Sequence, residues 1–129
     1  MARVSYLLDT DILIDWLRGE SWTKSLLRAQ DTVFYCASIT RKELLNMPGL
    51  KDSERQRILG LFRYVHVIFV DQAIATTSYE LQSKYADRMP YAEDALIAAT
   101  AFVKRLPLLT RNRKHFDFIT EIVLADLLR

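Results

Sequence analysis

Three carboxylates stand where an α/β chain would gather them. Asp9 directly follows the apolar pair Leu7-Leu8, Glu43 comes soon after Val33-Phe34-Tyr35-Cys36-Ala37, and Asp94 heads an alanine-rich apolar stretch. Acids brought together from separate elements repel one another. Unless protonated or neutralised, such a cluster raises its own pKa values and costs stability. A Mg²⁺ or Mn²⁺ ion relieves this, since both take oxygen ligands and keep several waters. Such an ion can polarise a phosphoryl oxygen and lower the pKa of an attacking water. The ligands zinc prefers are not at hand: His66 and His115 are far apart and Cys36 is the lone cysteine. The acids therefore point to phosphate chemistry.

Each acid also has a purely structural reading. Asp9 and Asp11 are placed to cap a first helix, because helix N-termini favour carboxylates. Thr40-Arg41-Lys42-Glu43 matches a capping box in which Glu43 reaches back to the Thr40 amide. Asp94 follows Pro90 and could be one more first-turn acid. It precedes a helix apolar on almost every side, however, so its side chain is expected near the interior, where an acid needs a partner.

A basic run supports a phosphate-rich ligand. Lys104, Arg105, Arg111, Arg113, Lys114 and His115 occur with no acid between them, and Arg41 and Lys42 directly precede Glu43. Such residues can position phosphates, although a solvated loop is the commoner fate of a charge run. Thr110 and Asn112 lie beside the run, at the end of a short apolar strand, and so near the same rim.

The elements that must position these groups alternate along the chain. Apolar, β-branched or aromatic runs predict strands at 4–8, 33–37, 67–70, 108–110 and 122–124. Helices are expected at 10–18 (stopped by Gly19), 22–29, 40–46, 52–63 and 93–104, with a long helix capped by Asp71 and ended before Pro90. Strands this apolar, separated by helices, imply a parallel sheet covered on both faces. The fold class is α/β: a three-layer α/β/α architecture with a mostly parallel central sheet. In such sheets, sites form beyond the carboxyl ends of the strands, where Asp9, Glu43, Thr110 and Asn112 are expected.

Bulk properties narrow the function further. The 129 residues suit a single domain, 1–129. No two of Gly19, Gly49 and Gly60 are close enough for a phosphate-cradling loop or a dinucleotide fingerprint. There is no Gly-x-Ser-x-Gly elbow. No apolar run is long enough to span a bilayer, and Met1-Ala2-Arg3-Val4 leads straight into strand-like sequence without a signal-peptide core. Cytoplasmic localisation is expected. The net charge of +2 neither demands nor excludes a nucleic-acid partner.

Four segments in order resemble the PIN domain, in particular VapC-type toxins of type II toxin–antitoxin pairs. They are Leu7-Leu8-Asp9-Thr10-Asp11-Ile12-Leu13-Ile14-Asp15, Ala37-Ser38-Ile39-Thr40-Arg41-Lys42-Glu43-Leu44, Ala92-Glu93-Asp94-Ala95-Leu96-Ile97-Ala98-Ala99-Thr100-Ala101, and Leu109-Thr110-Arg111-Asn112-Arg113-Lys114-His115-Phe116. The resemblance implies an endoribonuclease that uses carboxylate-bound Mg²⁺ or Mn²⁺. By motif position, Asp9 and Asp94 are the principal metal ligands and Glu43 completes the site directly or through water. Thr10, Asp11, Thr110, Asn112 and Asp117 are supporting candidates, and Arg41, Lys42, Arg111, Arg113 and Lys114 are candidate RNA contacts. The fourth segment departs from the pattern, because many relatives carry an acid where this chain has Asn112 or His115. A one-metal site is therefore expected. Asp15 is expected at the surface.

The resemblance also implies a cognate antitoxin, whose arginine or lysine could reach the acidic pocket, and a homodimer. Trp16, Leu17, Trp22, Leu26 and Leu27 put large apolar side chains on two early helices, with the tryptophans as candidate interface anchors. Two other functions fit parts of the pattern. One is a PIN-fold RNA-binding module with little turnover, suggested by the missing fourth acid. The other is a small phosphatase using Asp9 as nucleophile, because Asp9-Thr10-Asp11 resembles the motif of haloacid-dehalogenase-like phosphatases. That motif wants Thr or Val at position 13, where this chain has Leu13.

Overall fold

The computed structural model describes residues 3–126, apart from the side chain of Leu27. Strand β1 (Val4–Leu8) leads into α1 (Thr10–Leu17) and α2 (Ser21–Arg28). Then come β2 (Thr32–Ala37), α3 (Ser38–Leu45), α4 (Asp52–Leu61), β3 (Val65–Ile68), α5 (Gln72–Lys84), α6 (Ala92–Lys104) and β4 (Leu108–Leu109). A single 3₁₀ turn, Arg113–His115, follows. The sheet order is β3-β2-β1-β4 and every pairing is parallel.

Parallel strands need crossovers, and each crossover here is a helix pair. The period-2 pleat then sorts each strand between two helical layers. Leu7, Ala37 and Leu108 face α5 and α6, joining Ile74, Leu81, Ala95 and Ala98 in one core. Leu8, Phe34, Cys36 and Leu109 face the other way, against Ile12, Leu13, Leu26, Leu44 and Ile58. The expected three-layer α/β/α fold is therefore present, with both sheet faces buried. Each fully buried leucine contributes about 1.5–3 kcal/mol by leaving water. Small side chains on α6 (Ala95, Ala98, Ala99 and Ala101, all buried) let it pack closely into its layer.

The topology selects one place for a site. From β1 the chain steps outward to β2 and β3, then returns to lay β4 on the opposite side of β1. This reversal opens a crevice beyond the carboxyl ends of β1 and β4, the position at which open α/β sheets bind ligands. Asp9 directly follows β1, and its amide donates to the Leu109 carbonyl at 3.0 Å. Thr110 follows β4.

Several boundaries differ from the sequence expectation. The third strand occupies Val65–Ile68, two residues early, because its register is set by β2: Phe34 pairs with Val65 and Ala37 with Ile68. Beyond Ala37 the partner turns into α3, so Phe69 and Val70 have nothing to pair with and stand 67% and 45% exposed. The expected last strand shrinks to one bridge between Leu108 and Leu124, since a two-residue β4 cannot sustain a longer ladder. Helix α3 begins at Ser38, which carries Thr40 into the helix body. Asp71 does cap α5 as expected, accepting from the Ile74 amide at 2.8 Å. No helix among the described residues is long and apolar enough to cross a membrane.

Candidate active site

The crevice is an open pocket of about 390 Å³. Asp9, Asp11, Glu43, Glu93 and Asp94 line it, with Thr10, Asn112, His115, Tyr91, Ile14 and Ile97. Five carboxylates thus share one concave surface with a single histidine. They come from the β1–α1 junction, from α3 and from the first turn of α6, so none of the groups is local to another in sequence.

Asp9 is the best-anchored of the five. Its Oδ1 accepts from the Thr10 amide at 2.8 Å, so it does cap α1, and its Oδ2 accepts from the Thr110 hydroxyl at 2.8 Å. Capping and pocket placement coexist in one side chain. Thr110 is fully buried, and its oxygen in turn accepts from the Asn112 amide at 3.0 Å. Asp9 is only 7% exposed. Burial, with the Asp11 charge beside it, pushes its pKa up to about 6 despite the two hydrogen bonds.

The other acids are perturbed in the same direction. Burial raises Asp11, opposed by the Arg111 amide that donates to its Oδ2 at 2.9 Å. Its other oxygen, Oδ1, is buried with no hydrogen-bond partner among the described residues. Burial also raises Glu43, opposed by a hydrogen bond from Thr10, and the charges of Glu93 and Asp94 add to the rise. Asp94 is raised by burial against the pull of His115, whose Nδ1 lies 3.0 Å from its Oδ2.

The structure overturns the capping-box reading of Glu43. Thr40 is a buried residue inside α3, and the helix has no side-chain cap. Glu43 instead lies in the second turn, where its Oε1 accepts from the Thr10 hydroxyl at 3.1 Å. The same hydroxyl lies 3.1 Å from Thr40 Oγ1. The expectation that Asp15 is a surface residue is also corrected. Asp15 is buried, because Trp22 Nε1 donates to it at 2.9 Å and Arg111 pairs with it at 2.7 Å.

Not every supporting candidate reaches the pocket. Asp117 is exposed and is not among the residues that line it, and the adjacent Phe116 is buried in the core. The basic candidates do not line it either. Arg111 is engaged by Asp15, Arg113 Nη1 donates to the Ala125 carbonyl at 2.9 Å, and Arg41 lies over the Phe62 ring at 5.7 Å. Lys42 and Lys114 are exposed and have no acidic partner within 4 Å among the described residues. Lys104 is paired with Asp71. Both tryptophans are partly buried, Trp16 edge-on to Phe34 and Trp22 on Asp15.

Glu93 and Tyr91 were not among the site residues expected from sequence, and His115 stood there only in the basic run and as a position where many relatives carry an acid. The tandem Glu93-Asp94 at the head of an apolar helix was the available signal for Glu93. Pairing of His115 with Asp94 joins positions 21 residues apart and leaves no local trace.

A model of the PIN domain matches residues 6–121. The chain belongs to the PIN domain family. Within it, the chain is 32% identical over 121 residues to "Ribonuclease VapC19" of Mycobacterium tuberculosis, a match covering 90% of this chain and 95% of that protein. Among solved structures it resembles a toxin–antitoxin complex from Klebsiella pneumoniae, with 32% identity and a TM-score of 0.74 over 92% of this chain and 95% of that one. VapBC2 from Rickettsia felis, bound to a DNA fragment from its promoter, superposes with a TM-score of 0.82 at 22% identity, covering 95% of this chain and 98% of that one. At that identity the likeness speaks for the PIN fold alone.

As a PIN domain, the chain lines its pocket with five carboxylates and one histidine that is already engaged by Asp94, a mainly oxygen donor set of the kind that suits Mg²⁺ or Mn²⁺ better than zinc. The unpartnered Asp11 Oδ1 is the kind of buried acceptor that a cation or its water shell would satisfy. Among the described residues, no three acidic, histidine or cysteine side chains converge tightly enough to form a metal's inner shell by themselves.

Proposed function

We propose that this protein is a Mg²⁺- or Mn²⁺-dependent endoribonuclease and the toxin of a type II toxin–antitoxin pair. The observation that carries the reading is the meeting of Asp9, Glu43 and Asp94 in one pocket at the β1–β4 reversal. The names of its relatives supply the reaction class and the kind of partner.

Asp9 and Asp94 would hold the ion, with Glu43 contributing directly or through water. Asp11 and Glu93 lie in the same pocket and would accept hydrogen bonds from metal-bound waters. The chemistry such an ion would supply, when bound, is polarisation of a phosphoryl oxygen and a lower pKa for an attacking water. The remaining steps belong to the chain. Thr110 and the Thr10 amide hold Asp9 in one orientation, Thr10 holds Glu43, and His115 holds Asp94. These contacts fix the carboxylates before substrate arrives, so little reorganisation is needed at the moment of reaction. Hydrolysis adds the water oxygen to phosphorus and expels the ribose oxygen.

Glu93 bears on the binding-only alternative. The fourth segment lacks an acid, but α6 contributes a second one beside Asp94, so the pocket is not short of negative charge. A cognate antitoxin would silence the enzyme by placing a cationic side chain among these acids. A homodimer in the cytoplasm is the expected assembly and location.

The test is cleavage of a mixed RNA panel by purified protein with Mg²⁺, with Mn²⁺ and with chelator. Divalent-dependent cleavage that disappears in folded Asp9→Asn and Asp94→Asn variants supports the reading. RNA binding without cleavage under all conditions favours the binding module. Unchanged cleavage in either variant removes that residue from the site.

A further inference from the structure

The pocket poses an electrostatic problem for a polyanionic substrate. It is lined by five carboxylates and one histidine, that histidine is already paired with Asp94, and no lysine or arginine lines it. A single ion offsets only part of this charge. Binding energy that does not depend on charge must come from the uncharged part of the wall.

Besides His115, which is held by Asp94, Tyr91 is the one ring-bearing side chain among the residues that line it. The residue is 59% exposed. The backbone beneath it is held on both sides. Met89 is buried and its amide donates to the Tyr85 carbonyl at 2.9 Å, while the Tyr91 carbonyl accepts from the Ala95 amide at 3.4 Å. Pro90 between them restricts the chain further. Among the described residues, the Tyr91 ring pairs with no other ring and no cation, and its hydroxyl has no hydrogen-bond partner. A large flat side chain thus stands uncommitted on a fixed backbone at the mouth of an acidic pocket.

We infer that Tyr91 is a specificity-determining residue that stacks on an unpaired base of the RNA and so presents the adjoining phosphodiester to the carboxylates. The inference rests on the nuclease reading above, and it assigns to Tyr91 the contact with a base that has at least one face free. A base inside an A-form duplex already has both faces covered, whereas an unstacked base can lie on an aromatic ring. Stacking tolerates any sequence and involves no charge, which is the property this wall requires.

The test compares wild type, Tyr91→Phe and Tyr91→Ala on three RNAs: a hairpin cut by the wild type within its loop, the same hairpin abasic at the nucleotide next to the cut, and a fully paired duplex. The wild type should cut the intact loop and leave the duplex essentially uncut. Tyr91→Phe should match it within about twofold, since the ring is kept. Tyr91→Ala should raise KM on the intact loop about tenfold or more, with kcat changed far less. On the abasic hairpin the wild type should show the same loss and Tyr91→Ala little further loss. An alanine variant with wild-type KM, an equal penalty on intact and abasic RNA, or efficient cutting of duplex overturns the inference while leaving the nuclease reading intact. A wild type that cuts no RNA with either ion overturns the nuclease reading, and this inference with it.

Discussion

The Arg111 guanidinium clasps Asp15 through both carboxylate oxygens, Nε to Oδ2 at 2.7 Å and Nη2 to Oδ1 at 3.0 Å. The Arg111 amide simultaneously donates to Asp11 at 2.9 Å. One residue therefore ties the segment after β4 to two successive turns of α1. Thr110 and Asn112, its neighbours on either side, both belong to the site network. Arg111 is a positioning residue for the pocket rather than a free phosphate contact.

Arg111→Ala should destabilise the fold and loosen the site together. Asp15 is buried but Arg111 is half exposed, so the cost should be about 1–2 kcal/mol, below the value for a fully buried pair. Thermal unfolding should show the midpoint falling by about 3–8 °C. Arg111→Lys keeps the charge but not the fork and should recover only part of the loss. A variant with wild-type stability and weaker RNA binding would instead return Arg111 to the role of an RNA contact.

Asp9 should titrate near pH 6 in the absence of divalent ions. Its folded pKa lies above the unfolded value, so between roughly pH 4 and 6 the folded state keeps a proton that the unfolded state has lost. Stability from this group is complete below that window and is lost as pH rises through it, by on the order of 2–3 kcal/mol. Asp9→Asn keeps the cap and should therefore raise the unfolding midpoint at pH 7.5, with the gain vanishing near pH 4. Carboxyl NMR titration should find the Asp9 resonance moving near pH 6, and downward in pKa when Mg²⁺ is added. An Asp9 pKa below 4 without metal contradicts the account.

Mg²⁺ or Mn²⁺ should stabilise the protein without any RNA present. Millimolar ion should raise the unfolding midpoint by a few degrees, scaling with RT ln(1 + [L]/Kd), and chelator should reverse it. Asp94→Asn should abolish most of the shift while the variant still folds. A midpoint indifferent to both ions would remove the metal from the pocket, whatever the cleavage assays show.

Thr110→Val preserves shape but deletes the donor to Asp9 Oδ2 and the acceptor for the Asn112 amide. Losing these buried contacts should cost about 1–3 kcal/mol. The Asp9 pKa should climb further, because its Thr110 bond is one of the influences that lower it. Cleavage at pH 7 should fall at least tenfold, with partial recovery at higher pH as Asp9 ionises. Equal activity across the pH range would show that Asp9 orientation does not depend on Thr110.

Local sequence was enough for the alternation of strands and helices, the parallel sheet with two buried faces, the Asp71 cap and the positions of Asp9, Glu43 and Asp94. Periodicity and capping act over a few residues, and apolar strand runs can be read one at a time. Long-range contacts decided the rest. The register of β3 came from β2, and the loss of the last strand from the shortness of β4. Asp15 moved from surface to interior because Arg111, 96 positions away, pairs with it. Glu43, expected in the site, lost its competing role as a cap because Thr10 meets it across 33 positions. Tyr91 and Glu93 became pocket residues only when α6 was packed against β2 and α3. Such meetings depend on how helices cross the sheet, and that geometry is set by packing of the whole core rather than by any one segment.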